Sequence, residues 1–105
     1  MNVTSKSPIS KRLKEARLEA GISQKQLGIA AGVDEFVASA RLNQYETGKH
    51  VPDFAMMQKI AKVLKVSAAF FYAVDVELAN LIKTYSKLSA KQQRQLIAFV
   101  KKIQE

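Results

Sequence analysis

The chain predicts an all-α fold, on three observations. Only four Gly and two Pro punctuate its 105 residues, too few breakers for a protein built of many short strands. Apolar residues recur three and four positions apart, with no sustained two-residue alternation. Helix-start signatures stand at intervals along the chain, two of them in the reciprocal Ser-x-x-Gln form. Together they predict seven helices, five in the first 74 residues and two after.

The first helix starts at Ser7 and Pro8, an N-cap followed by Pro at the first helical position. Its stripe is Ile9, Leu13, Ala16 and Ala20, and Gly21 is its stop. The second opens with Ser23 and Gln26 as a capping box, flanked by Ile22 and Leu27 as a hydrophobic staple. It runs from Gln24 to Ala31, ends at Gly32, and is too short to be stable without neighbours. The third lies within Asp34 to Glu46, with Leu42 and Tyr45 on one face and Gly48 as terminator. Asp53 caps the fourth, whose inner stripe is Met57, Ile60, Ala61 and Leu64. Ser67 caps a short fifth helix containing Phe70 and Phe71. Asp75 opens the sixth, with Leu78, Leu81, Ile82 and Tyr85 on one side. Ser89 and Gln92 form the second capping box, before Leu96, Phe99, Val100 and Ile103. The C-terminal stripes suit either a monomer's own core or a seam between two copies.

Composition narrows the function. Apolar residues make up 48% and charged residues 25%, the balance of an ordinary folded domain. The longest apolar run, Ala68 to Val74, has seven residues, where a membrane span needs about 20. Met1 to Pro8 holds no apolar stretch of the secretory kind, and cysteine is absent, so the expected location is cytoplasmic and no membrane partner is expected. No Gly-rich phosphate cradle, cysteine nucleophile or His/carboxylate cluster at ligand spacing is present. His50 is the only histidine. An enzyme, a metal site, a cofactor and a small-molecule ligand are therefore not expected. The net charge of +8 fits a polyanionic partner, though charge alone also serves solubility. It is spread along the chain: Met1–Val33 is +4, Asp34–Pro52 −1, Asp53–Tyr72 +2 and Ala73–Glu105 +3. Any electrostatic face has to be assembled by folding.

Two short helices joined through a glycine form the skeleton of a helix-turn-helix. The ordered series Arg12-Leu13, Arg17, Gly21-Ile22-Ser23-Gln24, Leu27, Gly32-Val33, Tyr45-Glu46-Thr47-Gly48-Lys49, Pro52, Ile60-Ala61, Leu64 and Val66-Ser67 resembles the phage-repressor and Cro-like, or XRE-type, helix-turn-helix regulators. The resemblance covers Ile9 to Ala73. It implies a five-helix DNA-binding domain over residues 1–74, which usually acts as a dimer on palindromic operators. Residues 75–105 are then a C-terminal helical extension for packing, dimerisation or both. The implied partners are double-stranded DNA and a second copy of the chain. The alternative is a DNA-binding antitoxin whose C-terminal helices hold a partner protein.

The chain departs from the family pattern at two places. Fourteen positions separate Gly32 from Glu46, four more than the family usually has. The extra residues fall within Asp34 to Ala38 and either lengthen the turn or add a turn to the front of the third helix. We expect the longer turn, with Phe36 or Val37 tucked onto the core. Lys65 stands where the family often has Gly, at a cost of up to ~1 kcal/mol if its backbone is left-handed.

The register of the recognition helix is therefore counted backwards from Glu46. Leu42 and Tyr45 face the core. Ser39, Ala40 and Gln44 fall on the outward face, with Arg41 and Asn43 at its borders. Such a set suits a major groove: Gln and Asn pair with adenine, Arg with guanine, and a small Ala admits a thymine methyl. Gln24 matches a family residue that contacts a phosphate and braces the recognition helix, with Lys25 beside it. Lys49 and His50 are candidates for backbone contact through side chain and main chain. Arg17 and Glu46 match a pair that ties the first helix to the end of the recognition helix.

Overall fold

The structure, a computed structural model, describes residues 7–105. Six α-helices and one 3-10 helix follow one another: α1 (Ile9–Ala20), α2 (Gln24–Ala30), α3 (Ala38–Thr47), α4 (Phe54–Leu64), the 3-10 helix (Ala68–Tyr72), α5 (Val76–Lys87) and α6 (Ala90–Ile103). No strand occurs among the described residues. The element between Ser67 and Ala73 is a 3-10 helix rather than an α-helix: the Phe70 N–H donates to the Ser67 carbonyl and the Ala73 N–H to the Phe70 carbonyl, each three positions back.

Most starts are made by the side chains expected. α1 begins one residue later than expected, with Pro8 at its N-cap position, although the Ser7 hydroxyl still accepts from Ile9 N–H at 3.3 Å. Ser23 and Ser89 each close a reciprocal box with Gln26 and Gln92. Asp53 accepts from Met56 N–H at 2.8 Å, and Asp75 from Glu77 and Leu78. At the other ends, Gly48 takes φ +80° to stop α3, and Lys65 takes φ +59° to stop α4. The lysine is the one described non-glycine residue at positive φ.

The core is built from α1 to α4 and the 3-10 helix. Leu13, Leu27, Leu42, Met57, Ile60, Phe70 and Phe71 are its largest fully buried side chains, and the two phenylalanine rings meet edge-on at 5.4 Å. Arg12 reaches through this core. Its Nε donates to the Ala73 carbonyl and its Nη2 to the Val74 carbonyl, each at 3.0 Å, which fastens the end of the 3-10 helix to α1. α5 joins the same core through Ala79, with Ile82 packed against it. On the surface, Lys83 and Lys87 reach Glu19 on α1 at 3.0 and 3.7 Å. The hydrogen bond and charge of Lys83 hold the Glu19 carboxyl below the usual carboxylate range.

Two expectations are corrected, and one left open is narrowed. Ala20 is exposed, because α1 runs past the core in its last turn. Phe36 and Val37 do not tuck inward: Phe36 is 89% and Val37 42% exposed. Ala38 takes the inner position instead, fully buried, because α2 and α3 approach too closely there for a larger side chain. On the C-terminal helices, Leu78, Leu81, Phe99, Val100 and Ile103 are all exposed, and no residue of α6 is buried. Of the α5 stripe only Ile82 packs on the core, and the α6 stripe contributes no buried residue.

Candidate nucleic-acid interface

α2 and α3 form the helix-turn-helix, and glycine sets their spacing. Gly28 lies inside α2 and is buried. A Cβ there would come within 2.8 Å of Ala38 Cβ and 2.9 Å of Leu42 Cδ2. The glycine lets α2 sit directly on the front of α3. The interval between the helices is a longer turn, and α3 begins only at Ala38. Asp34 organises this turn: its carboxylate accepts from Phe36 N–H at 2.8 Å, and its carbonyl from Val37 N–H at 3.1 Å.

A buried ionic brace fixes the far end of α3. The Arg17 Nε and Nη2 groups donate to the two oxygens of Glu46, the second at 3.1 Å. Arg17 Nη1 donates to the Ile22 carbonyl at 2.9 Å. Gln24 Nε2 donates to Glu46 Oε1 at 3.0 Å and to Asn43 Oδ1 at 3.3 Å. Arg17 and Glu46 are each only 9% exposed, and no described buried side-chain polar atom lacks a partner. The paired fork satisfies both charges, the condition under which a buried ion pair is tolerated. α1, α2 and α3 thus meet at one carboxylate.

Ala38, Leu42, Tyr45 and Glu46 form the buried side of α3. Ser39, Ala40, Arg41 and Asn43 are exposed, and Gln44 is half-buried. At 100° per residue, Ala40, Asn43 and Gln44 lie opposite the buried side, with Ser39 and Arg41 flanking them. The Asn43 side-chain oxygen accepts from Gln24 Nε2, which ties this exposed residue of α3 to the start of α2. Gln24 is itself committed to α3, and Lys25 is exposed beside it. Lys49 and His50 are exposed just past the helix. The His50 N–H donates to the Gln44 carbonyl at 3.2 Å, so only the side chain of His50 remains for an anion. Among the described residues no cluster of His, Cys, Asp or Glu is placed to hold a metal, and no helix is long and apolar enough to cross a membrane.

Sequence reasoning missed three residues of this arrangement. Gly28 carries a signal in hindsight, since a glycine inside a helix costs ~1 kcal/mol and calls for a packing reason. Arg12 stands in the family series, but its role is not legible there, because its carbonyl partners lie 61 and 62 positions away. The outward placement of Phe36 contradicts its hydropathy.

The sequence model of the helix-turn-helix family matches residues 13–71. The chain therefore belongs to the XRE-type helix-turn-helix family and is a DNA-binding transcriptional regulator. Among solved structures it is similar to that of the transcriptional regulator BswR, at 45% identity and a TM-score of 0.84, over 90% of this chain and 93% of that one. Nothing among curated protein sequences matches the chain.

Proposed function

We propose that the chain binds a palindromic operator as a homodimer, with α3 of each copy in the major groove. The observation that carries this reading is the exposed polar face of α3, on a helix locked at its front by Gly28 and at its end by the Arg17–Glu46–Gln24 brace. Ser39, Ala40, Arg41, Asn43 and Gln44 face base edges, and Lys25, Lys49 and the His50 side chain face phosphates. Gln24 serves mainly as the brace and meets the backbone through its place at the start of α2. Residues 1–74 supply the DNA-binding domain. Residues 75–105 supply the pairing surface and work in the cytoplasm with no cofactor.

The pairing surface is supported by what α6 lacks. It is a 14-residue helix with no buried residue, and a helix of that length is marginal in water without a packing partner. Leu81, Ile82, Tyr85, Leu96, Ile97 and Val100 line an apolar groove of about 570 Å³ between α5 and α6. The radius of gyration is 15.6 Å, against about 13 Å for a compact chain of this length. An isologous contact between two such faces closes both. The same apolar face also admits the antitoxin reading, in which a partner protein covers it. Selection of bound duplexes from a random pool tests the proposal. A motif with two-fold symmetry, recovered by the chain alone, is the expected result. An asymmetric motif, or recovery only with a second protein, overturns it.

A further inference from the structure

The turn between α2 and α3 presents an aromatic ring where a core contact was expected. Phe36 is 89% exposed, two residues ahead of the first residue of α3. It is held out by structure: the Asp34 carboxylate accepts from its N–H at 2.8 Å, Val37 N–H closes on the Asp34 carbonyl, and Ala38 is anchored in the core against Gly28. A recognition helix enters the major groove with its N-terminal residues nearest the base edges. Phe36 therefore stands at the end of α3 that such an entry brings nearest the base edges. The flanking carboxylates of Asp34 and Glu35, both exposed, would be repelled by phosphate, so the turn is not a backbone clamp. Its productive contact is an apolar one on the floor of the groove, and the apolar group a base pair presents there is the thymine methyl.

We infer that Phe36, presented by the four-residue extension of the turn, is a specificity-determining residue that packs on the 5-methyl group of a thymine in each half-site. The inference rests on α3 being the recognition helix. It adds a base contact outside the five α3 positions and gives the longer turn a purpose.

The test uses the full chain and a duplex it selects from a random pool. Each thymine is replaced in turn by 2′-deoxyuridine, which removes only the methyl group, and affinity is read by fluorescence anisotropy. For the unmodified protein, one replacement per half-site is expected to weaken binding about fourfold, the factor for one methyl-sized apolar group. Phe36→Ala is expected to lose about as much on the thymine duplex and to become indifferent to that replacement. Phe36→Leu, which keeps an apolar side chain, is expected to retain the sensitivity. Thermal unfolding of the variants is expected to match the parent, since the ring is outside the core. The inference is overturned if the parent ignores every replacement, if Phe36→Ala keeps the methyl sensitivity, or if Phe36→Ala weakens thymine and deoxyuridine duplexes alike. Failure of the underlying reading looks different: Arg41→Ala and Gln44→Ala would then leave base preference unchanged as well.

Discussion

Glu46 is the residue on which the DNA-binding unit turns. Its carboxylate takes two bonds from Arg17 and one from Gln24, and it is buried where water cannot replace a lost partner. Removing either charge strands the other, at a cost of ~3–5 kcal/mol. Removing both strands neither, so Arg17→Ala with Glu46→Ala should cost less than the sum of the two single changes. Urea unfolding of the three variants measures this; additive effects below 1 kcal/mol would show two independent surface charges. Gly28 makes the opposite kind of demand. In an isolated helix Gly28→Ala would add ~1 kcal/mol of helix stability. Here the new Cβ meets Ala38 and Leu42 below 3.0 Å, and overpacking of that kind costs ~1–3 kcal/mol. A lowered melting temperature is the expected outcome. A raised one would mean that α2 and α3 separate without penalty.

At the scale of the element, the proposed function divides the work between readout by α3 and positioning by the residues just past it. Gln44 lies on the side away from Leu42 and within the helix, so Gln44→Ala should relax preference at one base pair per half-site, worth ~1–3 kcal/mol of discrimination. Lys49 is exposed beyond the Gly48 cap. Lys49→Ala should weaken all duplexes alike and flatten the dependence of log K on log salt by about one. A panel of single-base operator variants at two salt concentrations separates the two. Uniform weakening by Gln44→Ala would show that a different face of α3 enters the groove.

At the scale of the whole molecule, the boundary of the core matters. Ala79 on α5 is part of it, so the DNA-binding unit leans on a residue beyond position 74. α6 contributes nothing buried, and Phe99 and Ile103 are 61% and 67% exposed. Phe99→Asp with Ile103→Asp should therefore leave the melting of a single copy unchanged and abolish the dimer at micromolar concentration. Sedimentation of both proteins checks this. A variant that stays dimeric would place the contact elsewhere, and a parent that is monomeric would remove the pairing role of α6.

Most starts and stops of the helices, the inner stripe of α4, that of α1 up to Ala16, and the family were legible in the sequence; the start of α3, which has no side-chain cap, was not. Caps act over three or four residues, and the inner face of a short helix follows from periodicity alone. Chain-local chemistry therefore determined that this is an all-helical chain, and its ordered motif residues placed it in the helix-turn-helix family. Tertiary structure decided what depends on distance between elements. Ala38 rather than Phe36 points inward because α2 and α3 meet at a glycine. Arg12 is buried because carbonyls more than 60 positions away accept its protons. The apolar stripe of α6 reads like any core-facing helix; it lies exposed because the core is already closed by the elements before it, and a hydrophobic pattern carries no record of which surface will cover it.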